Sequence, residues 1–236
     1  MVKKNEINTT EDLGNEEFEN KYVHETYNVI AKKFSGTRHS TWPRVSHFIQ
    51  TELSSAGLLI ADIGCGNGKY LVDIPHNCRY IGVDACENLL AEAQKINTKL
   101  CKNAEFTKGN ILNIPIGTNA ADCCICIATL HHLSSRTRRM ATMKELVRIT
   151  KHNCKILIYV WAMEQKENSI GARSFSQPDN FVDWRDNEKN LVGKRYYHIY
   201  SKEEFQADIE EALHDLVELI DLSYDSNNWA AILKKM

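Results

Sequence analysis

The chain carries almost no net charge, no apolar run long enough to cross a bilayer and no internal repeat. With 29 Lys and Arg against 31 Asp and Glu the formal charge is -2. No global positive field therefore advertises nucleic acid, and any RNA contact must come from local patches. The opening Met-Val-Lys-Lys-Asn-Glu lacks the apolar core of a secretory signal, and no membrane partner is expected. No linker or low-complexity tract divides the chain, so 236 residues suit one domain with a real core. The eight cysteines do not suggest a disulfide framework. Cys123, Cys124 and Cys126 fall in an apolar run and Cys65 in a glycine turn. Buried reduced thiols in a cytoplasmic or nuclear protein, with no metal site, are the simpler account.

What is present is organised around residues 58–70, Leu-Leu-Ile-Ala-Asp-Ile-Gly-Cys-Gly-Asn-Gly-Lys-Tyr. The branched apolar run up to Ile63 suits a strand buried on both faces of a parallel sheet. Gly64, Gly66 and Gly68 then form a turn whose free backbone N–H groups and missing Cβ atoms admit a ligand closely. A tight connection with no ligand is the plain alternative. Lys69 stands where the dinucleotide fingerprint G-x-G-x-x-G has its third glycine. About 20 residues on, the strand Arg79–Asp84 ends in a carboxylate, the position at which a ribose diol is bound. Asp84 taken alone would pass for a helix N-cap. Together the two features indicate a nucleoside ligand, with S-adenosylmethionine a better fit than NAD.

Residues 1–14 read as a flexible tail and 15–236 as a single domain, with 15–54 a helical cover. In that cover, Phe18, Tyr22, Ile30 and Phe34 predict one helix over Glu16–Phe34, and Pro43 opens another with Val45, Phe48, Ile49 and Leu53 inward. A helix follows over Glu87–Lys102, then an edge strand Glu105–Lys108, a central strand Asp122–Ala128, a helix Thr137–Ile149 and a strand Lys155–Trp161. Residues 164–194 show no periodicity and read as an irregular substrate-side loop. Tyr196–Tyr200 reads as a short strand, and Ser201 with Glu204 forms a capping box opening a helix to Ala212. Leu216–Tyr224 and Trp229–Lys234 close the chain as an antiparallel pair. The expected fold is α/β: a doubly wound, mostly parallel seven-stranded sheet with an antiparallel edge hairpin.

Ligands of such sheets lie beyond the carboxyl ends of the strands. The candidate cofactor residues are therefore Asp62, Gly64, Cys65, Gly66, Gly68, Asp84, Ala85, Asn110, Ile111 and Ala128. Arg38, His131, His132, Trp161 and the run Arg195-Tyr196-Tyr197-His198 cluster on the same side, with His24 and Tyr27 in the cover. Each has a bland reading, as a surface arginine, a structural histidine or a packed aromatic, and it is the joint placement that favours a site.

These blocks carry a resemblance. Tyr22-Val23-His24…Tyr27, Phe34-Ser35…Thr37-Arg38…Trp42-Pro43, residues 62–70, His131-His132-Leu133-Ser134, Tyr159-Val160-Trp161-Ala162, Arg195-Tyr196-Tyr197-His198 and Tyr224-Asp225…Asn228-Trp229 resemble the eukaryotic tRNA wobble-uridine carboxymethyl O-methyltransferases. The resemblance runs from about Tyr22 to the C-terminus. It implies a Rossmann-like class I methyltransferase domain that methylates 5-carboxymethyluridine at position 34, in the tRNA anticodon loop, from S-adenosylmethionine. It also implies a small zinc-binding activator subunit, as a heterodimer on an edge of the sheet. Catalytic roles then fall to Arg38, His131, Arg195 and His198, and substrate contacts to His24, Tyr27, Trp161, Tyr196 and Tyr197. RNA phosphates would meet Lys32, Lys33, Arg38, Arg136, Arg138, Arg139, Lys194 and Arg195, although the three arginines at 136–139 read equally as a solvated helix face. Asn110 departs from the aspartate often found in related sequences, and residues 176–184 match the family's substrate loop only loosely. Rival readings are a small-molecule O- or N-methyltransferase and a non-catalytic relative that binds RNA or a partner.

Overall fold

The computed structural model describes residues 14–37, 40–166, 169, 172–186 and 188–236. The tail expected over residues 1–14, apart from Gly14, lies outside the described residues, and so does Arg38. Nine strands are present among them: β1 (Leu59–Ile63), β2 (Arg79–Asp84), β3 (Ala104–Lys108), β4 (Ala121–Ile127), β5 (Thr150–Trp161), β6 (Asp179–Arg185), β7 (Leu191–His198), β8 (Val217–Asp225) and β9 (Asn228–Lys235). The helices are α1 (Glu16–Glu19), α2 (Glu25–Ser35), α3 (Pro43–Glu52), α4 (Glu87–Leu100), α5 (Arg136–Ile149) and α6 (Lys202–Leu213).

Seven strands form one sheet in the order β3-β2-β1-β4-β5-β9-β8. Pairing is parallel from β3 through β5, and antiparallel where β9 enters between β5 and β8. Side chains of a strand alternate between faces, so β4 sends Cys123 and Ile125 to the α3 layer and Cys124 and Cys126 to the α5–α6 layer. Leu157 and Tyr159 of β5 likewise face α3, while Ile156 and Ile158 face α5 and α6. Cys123 and Cys126 have the C-x-x-C spacing, but in a strand that odd separation puts the two thiols on opposite faces. No helix among the described residues is long and apolar enough to cross a membrane.

Three expectations need correction. The segment 164–194 is not irregular throughout: β6 and the start of β7 lie within it and pair as an antiparallel ribbon outside the main sheet. Its polar residues hid the pairing, because a two-stranded ribbon buries only part of its surface. The short strand expected at Tyr196–Tyr200 is accordingly the longer β7. The single helix expected over Glu16–Phe34 is interrupted by a π-helical turn at Asn20–His24 between α1 and α2.

That interruption lets α1 latch onto the loop after β4. The Glu19 side chain, 2% exposed, accepts bonds from Ser134 N (2.8 Å) and Oγ (3.0 Å) and from Arg138 Nε (2.9 Å) and Nη2 (2.7 Å). A buried carboxylate with this many charge-assisted partners holds the cover strongly, and loss of its charge leaves Arg138 uncompensated. Glu19→Gln is expected to lower the unfolding free energy by about 1–3 kcal/mol, read by urea denaturation. It should also expose α1 to limited proteolysis.

Candidate active site

The glycine turn is built by its contact with β2. Gly64 N and Cys65 N both donate to Val83 O, at 2.7 and 3.1 Å. Gly64 has φ +75°, and a Cβ there would sit 2.1 Å from Thr129 Oγ1, so only glycine lets the turn reach the loop after β4. Gly66 has φ +55°, and a Cβ built on it meets nothing within 4 Å; the turn opens on free space there.

The Asp84 carboxylate closes this space from the end of β2. It accepts Gly66 N and Cys86 N, each at 2.8 Å. Burial pushes its pKa up, and the backbone N–H groups of Cys86, Gly66 and Ala85 oppose that. Asp62 is also buried; desolvation lifts its pKa to about 7 although Tyr80 Oη donates to it at 2.8 Å. Ala128, just after β4, is in the left-handed region, φ +56°, a conformation held only by its surroundings and common at functional sites. Asn110 is exposed and Ile111 half-buried at the end of β3. The N–H groups expected to be free are bonded within the fold, those of Gly64 and Cys65 to Val83 O, Gly66 to Asp84 and Gly68 to Cys65 O. What fits the hydroxyl pair of a ribose is the half-buried Asp84 carboxylate beside an open turn.

A second cluster lies at the ends of β4 and β5, under α2. Arg195 is 3% exposed, yet no carboxylate pairs with it among the described residues. Its Nη1 donates to Tyr197 Oη (2.7 Å) and Tyr27 Oη (3.4 Å), and the rings of Tyr27, Trp184 and Tyr197 lie within 5.7 Å of its guanidinium carbon. Its Nε, although buried, finds no partner among the described residues. His131, fully buried, accepts Trp161 N at Nδ1 (3.1 Å). The proton of the neutral ring must then sit on Nε2, which also lacks a partner. Burial keeps His131 neutral by lowering its pKa well below the usual value. Among the described residues two buried donors thus stand without acceptors, on two residues that both touch Tyr197, whose ring stacks on Trp161 at 4.1 Å and 15°.

His132 organises the hydroxyls. Its Nδ1 lies 2.8 Å from Tyr196 O and its Nε2 3.0 Å from Tyr27 Oη; burial pushes its pKa down to about 3. With Nδ1 donating, Nε2 accepts the Tyr27 proton, and Tyr27 Oη is free to accept from Tyr197 Oη at 3.1 Å. One orientation satisfies the chain.

The structure therefore brings His131, Arg195, Tyr27, Tyr197 and Trp161 together. His24 is half-buried in the π-helical turn, and burial lowers its pKa although Glu19 and Asp84 oppose the change. Tyr196 and His198 are not in the cluster: they lie on the opposite face of β7, where the Tyr196 hydroxyl donates to Asp179. Strand alternation predicts that separation once 191–198 is known to be one strand. Of the candidate RNA contacts, Arg138 holds Glu19, Arg139 is buried and Arg136 pairs with Asp208 and Glu211. Lys32, Lys33 and Lys194 remain exposed. The roles of His132 and Thr129 had no signal beyond their place after the central strand.

A family described as "Methyltransferase domain" matches residues 60–153. A solved S-adenosylmethionine-dependent methyltransferase from Aquifex aeolicus superposes with a TM-score of 0.61 at 18% identity, over 86% of this chain and 98% of that one. The chain is a class I, S-adenosylmethionine-dependent methyltransferase. Among curated proteins, the tRNA (carboxymethyluridine(34)-5-O)-methyltransferase of Schizosaccharomyces pombe is 33% identical over 93% of this chain and 98% of its own length. The chain belongs to that family. It is also 41% identical to the mouse tRNA (carboxymethyluridine(34)-5-O)-methyltransferase ALKBH8 over 69% of this chain, and the match spans 24% of that longer protein. A Haloferax volcanii complex containing the Trm112 methyltransferase activator superposes with a TM-score of 0.61 at 12% identity, over 90% of this chain and 97% of that one.

Asp84→Asn removes the charge from the acceptor beside the open turn. Affinity for S-adenosylmethionine is expected to fall roughly tenfold, the value of one charge-assisted hydrogen bond, by isothermal titration calorimetry. Unchanged affinity would count against the ribose role.

Proposed function

We propose that this chain methylates the carboxylate of 5-carboxymethyluridine at tRNA position 34, giving the methyl ester. The observation that carries the reading is Arg195, a buried guanidinium with no carboxylate of its own beside a second unpartnered donor on His131. S-adenosylmethionine, when bound, supplies an electrophilic methyl group. The carboxylate, with an unperturbed pKa of about 4, is already ionised at neutral pH and needs no base. The chain's own work is to bind, orient and desolvate it.

Arg195 Nε and His131 Nε2 are the donors free to hold the acid. The two phenols and three rings already share the guanidinium charge, which keeps Arg195 from gripping the ground state too tightly as charge is lost in transfer. Tyr27 and His132 fix the Tyr197 hydroxyl, and Tyr197 with Trp161 forms an aromatic wall for an extruded base. The exposed Lys32, Lys33 and Lys194 would meet phosphates, making tRNA affinity salt-dependent. The sheet has open edges at β3 and β8 on which a small zinc-binding activator can pair, and the eight free thiols suit a reducing cytoplasmic or nuclear setting.

The deciding assay incubates the full chain with labelled S-adenosylmethionine and hypomodified tRNA, with and without the activator, followed by nucleoside analysis. Label in the methyl ester of uridine 34 is expected; turnover of small acids without RNA, or no turnover in either arm, overturns the reading. Arg195→Met is expected to reduce kcat/KM on that tRNA by roughly 100-fold or more. It should leave S-adenosylmethionine affinity intact and not lower the thermal midpoint, because a costly unpaired charge is removed from the interior.

A further inference from the structure

We propose that His198 is a positioning residue, an imidazolium that locks the root of the β6–β7 ribbon to α6 and thereby fixes Arg195 and Tyr197 on the other face of β7. The inference rests on the reading of Arg195 given above.

The geometry is specific. His198 is 5% exposed. Its Nδ1 lies 2.9 Å from Asp179 Oδ1 at the start of β6, and its Nε2 lies 2.8 Å from Glu204 Oε1 in the first turn of α6. Ionised carboxylates only accept hydrogen bonds, so both ring nitrogens must donate, and only the charged ring carries two protons. Asp179 is the register partner of His198 in the ribbon and also receives the Tyr196 hydroxyl. One ring therefore joins two strands and a helix.

The groups around the ring agree on its charge. From β6 and β7 it is faced by Asp179 and Tyr196. From α6 come Glu204 and, through Tyr200 Oη at 3.3 Å, Asp208. From α5 comes Arg139, whose Nη2 is 3.7 Å from Glu204 Oε1 and which opposes the imidazolium. His131 also lies within its field and is neutral. Burial alone would lower the His198 pKa, but the bonds from Asp179 and Glu204 outweigh burial and raise it. Burial likewise favours protonated Asp179, and the bonds from His198 and Tyr196 reverse that, so its pKa is lowered.

The sign of the pH dependence follows. A raised folded-state pKa means the clamp is complete below the ordinary imidazole value and is lost as pH rises through the higher folded one. A neutral ring serves one carboxylate and presents a lone pair to the other. Three residues away, Arg195 then loses its fixed approach to the substrate acid.

The test uses the full chain. Long-range nitrogen–proton spectra of the histidines are recorded from neutral to alkaline pH, with the His198 signal assigned by its loss in His198→Gln. Steady-state methylation of carboxymethyl-containing tRNA is followed over the same range. Expected are a doubly protonated ring at neutral pH and a wild-type KM that rises roughly tenfold on the alkaline side. His198→Gln should show the high KM at every pH, without that limb and with unchanged S-adenosylmethionine affinity. A singly protonated ring at neutral pH, or a variant with the parental KM and limb, overturns the proposal. Should His198→Gln not fold, Glu204→Gln must shift the ring's titration to lower pH, and no shift overturns it. The spectra need no turnover, so absence of methylation would sink the functional reading while the clamp is judged separately.

Discussion

A guanidinium buried without a carboxylate is costly, and the surroundings of Arg195 offset that cost with groups that carry no charge. Two phenolic oxygens accept from it and three aromatic rings lie within cation–π range. Those phenols must be held, which is the work of His132 and of the helix that carries Tyr27. The histidine must in turn be neutral, and desolvation between the cover and β7 keeps it so. The guanidinium is therefore held in place without having its charge neutralised.

β7 divides two tasks by alternation. Arg195 and Tyr197 face the ends of β4 and β5, while Tyr196 and His198 face α1, β6 and α6. Among the described residues Arg195 keeps one donor, its Nε, without an acceptor, whereas Tyr196 and His198 bond the carboxylates of Asp179 and Glu204. Adjacent residues of one short motif thus belong to two different side-chain clusters. The same separation marks the cofactor side. There Gly64 and Cys65 hook the turn to Val83, while Gly66 and Asp84 face the open space.

The arginines of α5 show how little a basic run says by itself. Arg136, Arg138 and Arg139 are consecutive enough to suggest a phosphate track. In the fold, each is turned to a different carboxylate: Asp208 and Glu211 on α6, Glu19 on α1, and Glu204 at the start of α6. They join the cover and α6 to the same helix.

The sequence by itself determined the sheet, since its strands are marked by local apolar runs and its turns by glycine, and it determined the end of the sheet at which the glycine turn meets an acidic strand end, because Gly64, Gly66 and Asp84 sit at fixed offsets from those strands. It also singled out the Arg-Tyr-Tyr-His motif and the paired histidines. Tertiary structure alone decided which members of these groups share a cluster. The polar ribbon of β6 and β7 has no periodicity strong enough to read, so the extension of the Tyr196–Tyr200 strand back through Arg195 and its pairing with β6 were illegible. The partners Asp179, Glu204 and Glu19 lie far along the chain from, or on other elements than, the groups they hold. Burial, and with it the protonation of His131, His132 and His198, exists only once those elements have packed.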